Sequence, residues 1–313
     1  DFKFPAHNRE NNIWELEFET GGEALLSIDG KIVHGLDRNH SKMIVDSNQY
    51  SDIKVELVIE AALDRINKIY LELPEYKHLF SQAEFRIVQR AGKEFYYNLL
   101  SLFELKEELN KKEDDKYKKL EVIYQKLKEF YYREKREKGK IDFDLLNKNY
   151  HSEIAEIENH NSYKIACFGH AHIDLAWLWQ FKETVRKSAR SFSTALNLIK
   201  AYPEFKFIQS QPKLYQYIEK YFPDLFSRIK AEIKNNNWQV EGGMWVEADT
   251  NLISGESLVR QFLYGKKYIK EHFKEDSKVL WLPDVFGYTA SLPQIMKKAE
   301  IDYFMTSKIS WND

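Results

Sequence analysis

Within five residues the chain carries His170, His172 and Asp174 at alternate positions, directly after the apolar run Ile165-Ala166-Cys167-Phe168 and a single Gly169. In extended backbone such alternation sends all three side chains to one side. Imidazole and carboxylate together form the ligand set of a borderline divalent metal, zinc first, with cobalt able to fit the same donors. The spacing leaves open which of the three bind, and a histidine near a strand end is also an ordinary hydrogen-bonded polar residue. A second chemical point is Asp284 in Pro283-Asp284-Val285-Phe286-Gly287, again straight after an apolar run. There it serves as a third ligand, a nucleophile, both, or only the N-cap of a following helix.

These residues need elements to hold them. From residue 164 onward short apolar runs at 164–168, 205–209, 238–240, 279–282 and 303–306 alternate with helical patterns at 182–200, 213–235, 255–273 and 292–299. Alternating strands and helices predict an α/β unit with a mainly parallel or barrel-like sheet, whose ligands bind beyond the carboxyl ends of the strands. Those ends carry Ser210-Gln211, the stretch Glu241-Gly242-Gly243-Met244-Trp245-Val246-Glu247-Ala248-Asp249, Asp284 with Phe286, and Ser307 through Trp311 to the last residue. Carboxylates, amides and indoles suit a sugar, whose C–H faces stack on rings. Trp177, Trp245 and Trp311 are each read either as such a platform or as packing. Glu241, Glu247 and Asp249 are read as substrate-positioning or structural carboxylates. Phosphate-binding and nicotinamide-binding glycine patterns are absent.

The amino-terminal part reads differently. Trp14, Leu16 and Phe18 alternate with Glu15, Glu17 and Glu19, the period of a half-buried strand. Asp29-Gly30 joins runs at 24–28 and 31–33 as a hairpin turn needing positive φ at both positions. Further runs at 43–45, 53–59, 69–73 and 85–88 complete an antiparallel β-sandwich over residues 1–92, with a structural spacer as its default role. Residues 93–160 are expected to form a helical connector. Tyr117, Leu120, Ile123, Tyr124, Leu127 and Tyr131 make its apolar stripe, Glu113-Asp114-Asp115 a break between helices, and 159–162 a polar linker. Residues 161–313 then form the α/β domain.

The 313 residues, 43 % apolar and 15 % aromatic, can fill real cores, and a formal net charge of −2 gives no case for nucleic acid or membrane surfaces. No apolar run reaches the roughly 20 residues of a membrane span. The start, Asp1-Phe2-Lys3-Phe4-Pro5, lacks a signal-peptide pattern, although it also lacks a methionine. The lone Cys167 allows no disulfide within the chain, is read as a small buried mid-strand residue, and suggests a reducing, cytoplasmic setting. A homo-oligomer is compatible with all of this.

The runs Gly169-His170-Ala171-His172-Ile173-Asp174-Leu175-Ala176-Trp177, Glu241-Gly242-Gly243-Met244-Trp245-Val246-Glu247 and Leu282-Pro283-Asp284-Val285-Phe286-Gly287, in this order, resemble the catalytic domain of the class II α-mannosidases, glycoside hydrolase family 38. The likeness covers about residues 163–313. The segment from Gly22 to His40, with Asp37-Arg38-Asn39-His40, resembles the amino-terminal domain of the bacterial and cytosolic or vacuolar branch. The resemblance implies a retaining exo-acting α-mannosidase of oligosaccharides. His172, Asp174 and Asp284 would be its zinc ligands, Asp284 also its nucleophile, Trp177 and Phe286 its sugar contacts, and His170 a residue behind the ligands. It further implies that the acid/base carboxyl and a fourth ligand, a histidine, lie beyond residue 313, so that these 313 residues by themselves are inactive. Leu175-Ala176 stand where many members have Pro-Gly, which bears on subfamily. Two other readings stand beside it: a non-catalytic carbohydrate-binding or scaffold relative, and a zinc hydrolase that attacks with metal-bound water.

Overall fold

The computed structural model describes residues 2–5, 12–20, 22–37, 39–62, 82–109, 115–155, 157 and 164–309. The strand expected at 69–73, the linker at 159–162 and Trp311 lie outside them.

Among the described residues the antiparallel part contains two three-stranded sheets. β2 (Asn12–Glu19) lies between β5 (Lys42–Val45) and β8 (Gln82–Gln89), and β3 (Glu23–Ile28) lies between β4 (Lys31–Leu36) and β7 (Leu57–Ala62). A two-stranded pair of β1 (Phe2–Lys3) and β6 (Lys54–Val55) adds to them. Trp14, Leu16, Phe18, Leu26, Ile28, Met43 and Val45 fill one core, with Phe4 stacked on Trp14 at 5.6 Å. Asp29 (φ 48°) and Gly30 (φ 73°) form the turn that their sequence demands. The predicted solvent face of β2 is a different matter, because Glu15 and Glu17 are buried as well. Long cations cover them, Lys93 Nζ lying 2.6 Å from Glu15 and Arg86 Nη1 2.5 Å from Glu17.

Three helices follow, α2 (Arg90–Glu108), α3 (Asp115–Lys138) and α4 (Phe143–Ala155), after the one-turn α1 (Ser47–Tyr50). The stripe read from the sequence is their contact surface: Leu120, Ile123 and Leu127 meet Phe95, Leu102 and Leu146.

In the remaining chain β9 (Gly169–His170), β10 (Phe207–Gln209) and β11 (Trp238–Val240) pair in parallel, as do β12 (Val279–Trp281) and β13 (Tyr303–Met305). An isolated parallel bridge between Gly242 and Leu280 links the two sets. Helices α5 (Phe181–Ala201), α6 (Pro212–Tyr221), α7 (Pro223–Lys234), α8 (Gly255–Phe273) and α9 (Leu292–Lys298) lie between the strands. Phe192, Leu214, Tyr215, Ile218, Ile229, Trp238 and Ile269 form the largest core, inside which Trp238 Nε1 donates to Tyr215 Oη at 2.7 Å. The helix expected over 213–235 is two helices. Pro223 lacks the N–H needed to continue the first and starts the second, where that N–H would be unpaired in any case.

Two expectations about 164–168 fail. The ladder to β10 reaches only Gly169 and His170, so the residues before it are not a strand. Ile165 is 85 % exposed and Cys167 is exposed too, rather than a small buried residue. The reason is the short partner: β10 begins only at Phe207, opposite Gly169, and leaves the earlier amides nothing to pair with in that ladder. Among the described residues no helix is long and apolar enough to cross a membrane.

Candidate metal and sugar site

The regular strand ends at His170, yet the chain beyond it is held straight by side chains. Gln209 Nε2 donates to the Ala171 carbonyl at 3.1 Å and Gln211 Nε2 to the Ile173 carbonyl at 2.8 Å, both glutamines being buried. Two amides two residues apart thus continue the ladder on one edge of 171–173. This keeps the alternation that puts Ala171 and Ile173 against the core and leaves His172 and Asp174 for the other side. The turn that follows is fixed by Thr184 Oγ1, which donates to the Leu175 carbonyl at 2.5 Å and accepts from Trp179 Nε1 at 3.0 Å.

Asp284 arrives from the end of β12. No helix follows it until α9, for which Ser291 is the N-cap, so the N-cap reading of Asp284 is withdrawn. Its Oδ2 stands 3.7 Å from His172 Nε2, and Asp174 Oδ1 stands 3.3 Å from the same nitrogen. On the other side Asp284 Oδ1 is 2.7 Å from Lys308 Nζ, which also sits over the Phe286 ring at 4.7 Å. The opposite nitrogen of the imidazole, His172 Nδ1, donates to Glu247 Oε2. Burial by itself would lower the His172 pKa, but its hydrogen bonds to Asp174 and Glu247 outweigh that and push it up to about 10.

The other sequence candidates fall in distinct places. Trp177 is 52 % exposed and packs edge-on to Trp179 at 5.6 Å, and Phe286 is 68 % exposed beneath Lys308. His170 does not join the Asp174 and Asp284 group: its ring lies 5.3 Å from that of Trp281 and its Nε2 is 3.2 Å from Ser210 Oγ. The three-way convergence expected of His170, His172 and Asp174 is therefore a two-way one, completed by Asp284. Trp245 packs edge-on to Tyr268 at 5.6 Å beneath Lys213. Asp249 caps its own loop by accepting from the Asn251 and Leu252 amides, tight against Gly287, where a Cβ would fall 2.2 Å from its Oδ1. Glu241 accepts from Ser277 Oγ and from the Lys278 and Val279 amides, tying β11 to β12. Gly242 (φ 131°) makes that crossing passable, since a Cβ there would lie 2.1 Å from the Ser210 carbonyl oxygen.

Lys308 and Ser210 were not singled out in the sequence. Ser210 directly follows β10 and Lys308 lies three residues beyond β13, and that position after a strand end is the signal that finds them. The segment from the antiparallel part is near as well: Asp37 and His40, paired at 3.0 Å, line a cavity of about 440 Å³ together with His170, His172 and Asp174.

The donors suit a metal such as zinc by their chemistry. An imidazole nitrogen and two carboxylate oxygens face one another, and a carboxylate holds the far ring nitrogen, as metal-bound histidines usually require. Tetrahedral ligands about 2.1 Å from one ion stand roughly 3.4 Å apart, close to the 3.3 and 3.7 Å found here. The set is not drawn into a closed cradle, and among the described residues no group of three or more His, Cys, Asp or Glu is. Lys308 holds the second oxygen of Asp284 instead.

Residues 162–313 match the family described as "Glycosyl hydrolases family 38 N-terminal domain". Alpha-mannosidase G of Dictyostelium discoideum is 36 % identical over 243 residues, 77 % of this chain and 22 % of its own length. Alpha-mannosidase 2C1 of Homo sapiens is 48 % identical over 152 residues, 49 % of this chain and 15 % of its own. The crystal structure of an alpha-mannosidase from Enterococcus faecalis V583 superposes with a TM-score of 0.42 and 24 % identity, covering 44 % of this chain and 16 % of that one. The chain thus spans 22 % or less of the length of these curated relatives.

Proposed function

Residues 162–313 belong to the glycosyl hydrolase family 38 amino-terminal domain, and on that footing we propose that the protein is a retaining α-mannosidase that removes terminal α-mannosyl residues from oligosaccharides. One observation carries the reading: a single imidazole, His172, faces two carboxylates of different strand ends, Asp174 and Asp284. In this reading residues 1–92 are a β-sandwich, 93–160 a helical connector, and 161–313 the start of a parallel, barrel-like catalytic domain. A cytoplasmic setting goes with the lone thiol.

His172, Asp174 and Asp284 would hold zinc, which when bound supplies Lewis acidity and anchors sugar hydroxyls. Asp284 attacks the anomeric carbon, the glycosidic C–O bond breaks, and a covalent glycosyl-enzyme forms on its carboxylate. Lys308, on the carboxylate's other oxygen, orients Asp284 for that attack. Trp177 and Phe286 stack on the sugar's C–H faces and exclude water. The departing oxygen takes its proton from a general-acid carboxyl, which then deprotonates the water that displaces the sugar from Asp284, and none of Glu241, Asp249 and Glu247 is placed to be that group. Glu241 and Asp249 are bound to backbone amides, and Glu247 is shut away from solvent.

The full-length protein is expected to cleave an aryl α-mannoside, and proton NMR of the first product should show α-mannose. A first-formed β-anomer, or no release of mannose at all, would contradict the proposal. Metal uptake must also displace the proton that His172 holds in the metal-free state, because a ligating imidazole is neutral. Since that pKa is raised to about 10, apparent zinc affinity should fall about tenfold for each pH unit below it, with one proton released per ion. Calorimetry in buffers of different ionisation enthalpy reads that proton directly. The same imidazolium pairing stabilises the metal-free fold in full below the ordinary histidine pKa, and is lost as pH rises towards 10.

A further inference from the structure

We propose that Glu247 is the positioning residue of the metal site: a buried carboxylate that fixes the direction and tautomer of His172, and that is itself locked by a hydrogen-bond chain running back through Ser210 to His170. The inference rests on the metal reading above and adds a residue and a role to it.

The chain is built from three strand ends. Ser210, the residue after β10, is 2 % exposed, and its hydroxyl donates to Glu247 Oε1. A hydroxyl has one proton, so towards His170 the same oxygen accepts, and His170 Nε2 is the donor at 3.2 Å. The other oxygen of Glu247 accepts from His172 Nδ1. One oxygen of the carboxylate therefore accepts from His172 and the other from Ser210, which itself accepts from His170, so the two histidines of the motif are linked through Glu247 and Ser210.

Glu247 has no freedom to do anything else. Its side chain is 3 % exposed. Its own amide donates to Gln211 Oε1 at 3.2 Å, and that glutamine's Nε2 donates to the Ile173 carbonyl, so the loop bearing Glu247 and the segment bearing His172 are clamped by one buried side chain. The neighbouring Val246 amide donates to Gln261 Oε1 at 3.0 Å, which anchors the loop to α8. A carboxylate so enclosed cannot reach a sugar oxygen as acid or base. It can, however, keep the proton on Nδ1, so that Nε2 presents its lone pair to the side on which Asp174 and Asp284 stand. In this account His170 is kept beside the ligands not to bind metal but to close the far end of the chain.

The test uses the full-length protein, zinc alone as the ligand, and two readouts other than turnover. By calorimetry, Glu247→Gln, which keeps an acceptor but loses the charge, should weaken zinc binding about 10-fold, and Glu247→Ala about 100-fold. Ser210→Ala, which leaves the Glu247 to His172 bond intact, should cost only a few-fold and carries the test if Glu247→Ala does not fold. In the proton NMR spectrum, the His172 Nδ1 proton should appear strongly downfield and protected from exchange in the wild type. It should move upfield in Glu247→Gln and vanish in Glu247→Ala. Unchanged zinc affinity in both Glu247 variants, or a His172 Nδ1 proton that ignores them, overturns the proposal. A wild type that takes up no zinc while its Nδ1 proton still responds to Glu247 overturns the metal reading and leaves the hydrogen-bond chain standing.

Discussion

Asp284→Asn is expected to lower mannoside hydrolysis by the full-length protein by on the order of 10⁴-fold, because it removes the attacking group and not merely a contact. The change is nearly isosteric. Asp284 is 42 % exposed but its partner Lys308 only 13 %, and the amide oxygen of the variant can still accept from Lys308 Nζ, so the folded state should lose on the order of 1–2 kcal/mol. That combination separates a nucleophile from a structural aspartate: activity collapses while the protein stays folded with a modestly lowered unfolding midpoint. The rival hydrolase, attacking with metal-bound water, would lose metal affinity in this variant but should recover activity at raised zinc concentration. A glycosidase should not recover. A carbohydrate-binding relative would have no activity to lose and would still bind mannosides in the variant.

His172→Ala should have the second large effect, and of another kind. It removes the one nitrogen that faces both carboxylates, so zinc uptake should be lost and hydrolysis should fall by on the order of 10³-fold or more. It also strands Glu247, whose buried carboxylate would keep only Ser210 as a donor. Removing one partner of a buried charged pair costs about 3–5 kcal/mol, so here the unfolding midpoint should drop clearly. The double variant His172→Ala, Glu247→Gln should recover part of that stability, because the orphaned charge is gone, and none of the activity. Denaturant unfolding and a zinc titration on the wild type and the two variants check both halves. A His172→Ala protein as stable as the wild type would mean that the buried pairing contributes nothing.

How far the sequence alone reaches can be followed residue by residue. The strand-end rule brought together His172, Asp174 and Asp284, although the last is 110 positions from Asp174, because parallel strands deliver their carboxyl ends to one edge whatever lies between. The same rule had already pointed to the stretches holding Ser210, Glu247 and Lys308. It could not tell which of their residues turn inward. That depended on Gln209 and Gln211, whose side-chain amides extend the ladder past its backbone end, and a glutamine's choice of carbonyl is a tertiary matter. Alternation overreached at His170, whose ring is taken up by Trp281 and Ser210 rather than by the carboxylates. It also overreached at Glu15 and Glu17, which the polar period assigned to solvent and which Lys93 and Arg86 cover. The split at Phe222 and Pro223 was legible locally, since proline cannot continue a helix. A long apolar period across it hid the break.

The central claim is that Asp284 carries the sugar. A fluorinated mannosyl donor slows both steps of a retaining reaction and, with a good leaving group, lets the glycosyl-enzyme accumulate. After brief incubation of the full-length protein, proteolysis and mass spectrometry should find one fluoromannosyl group, on the peptide containing Asp284 and on that side chain. Steady release of mannose with no adduct, or an adduct on another carboxylate, would contradict the account.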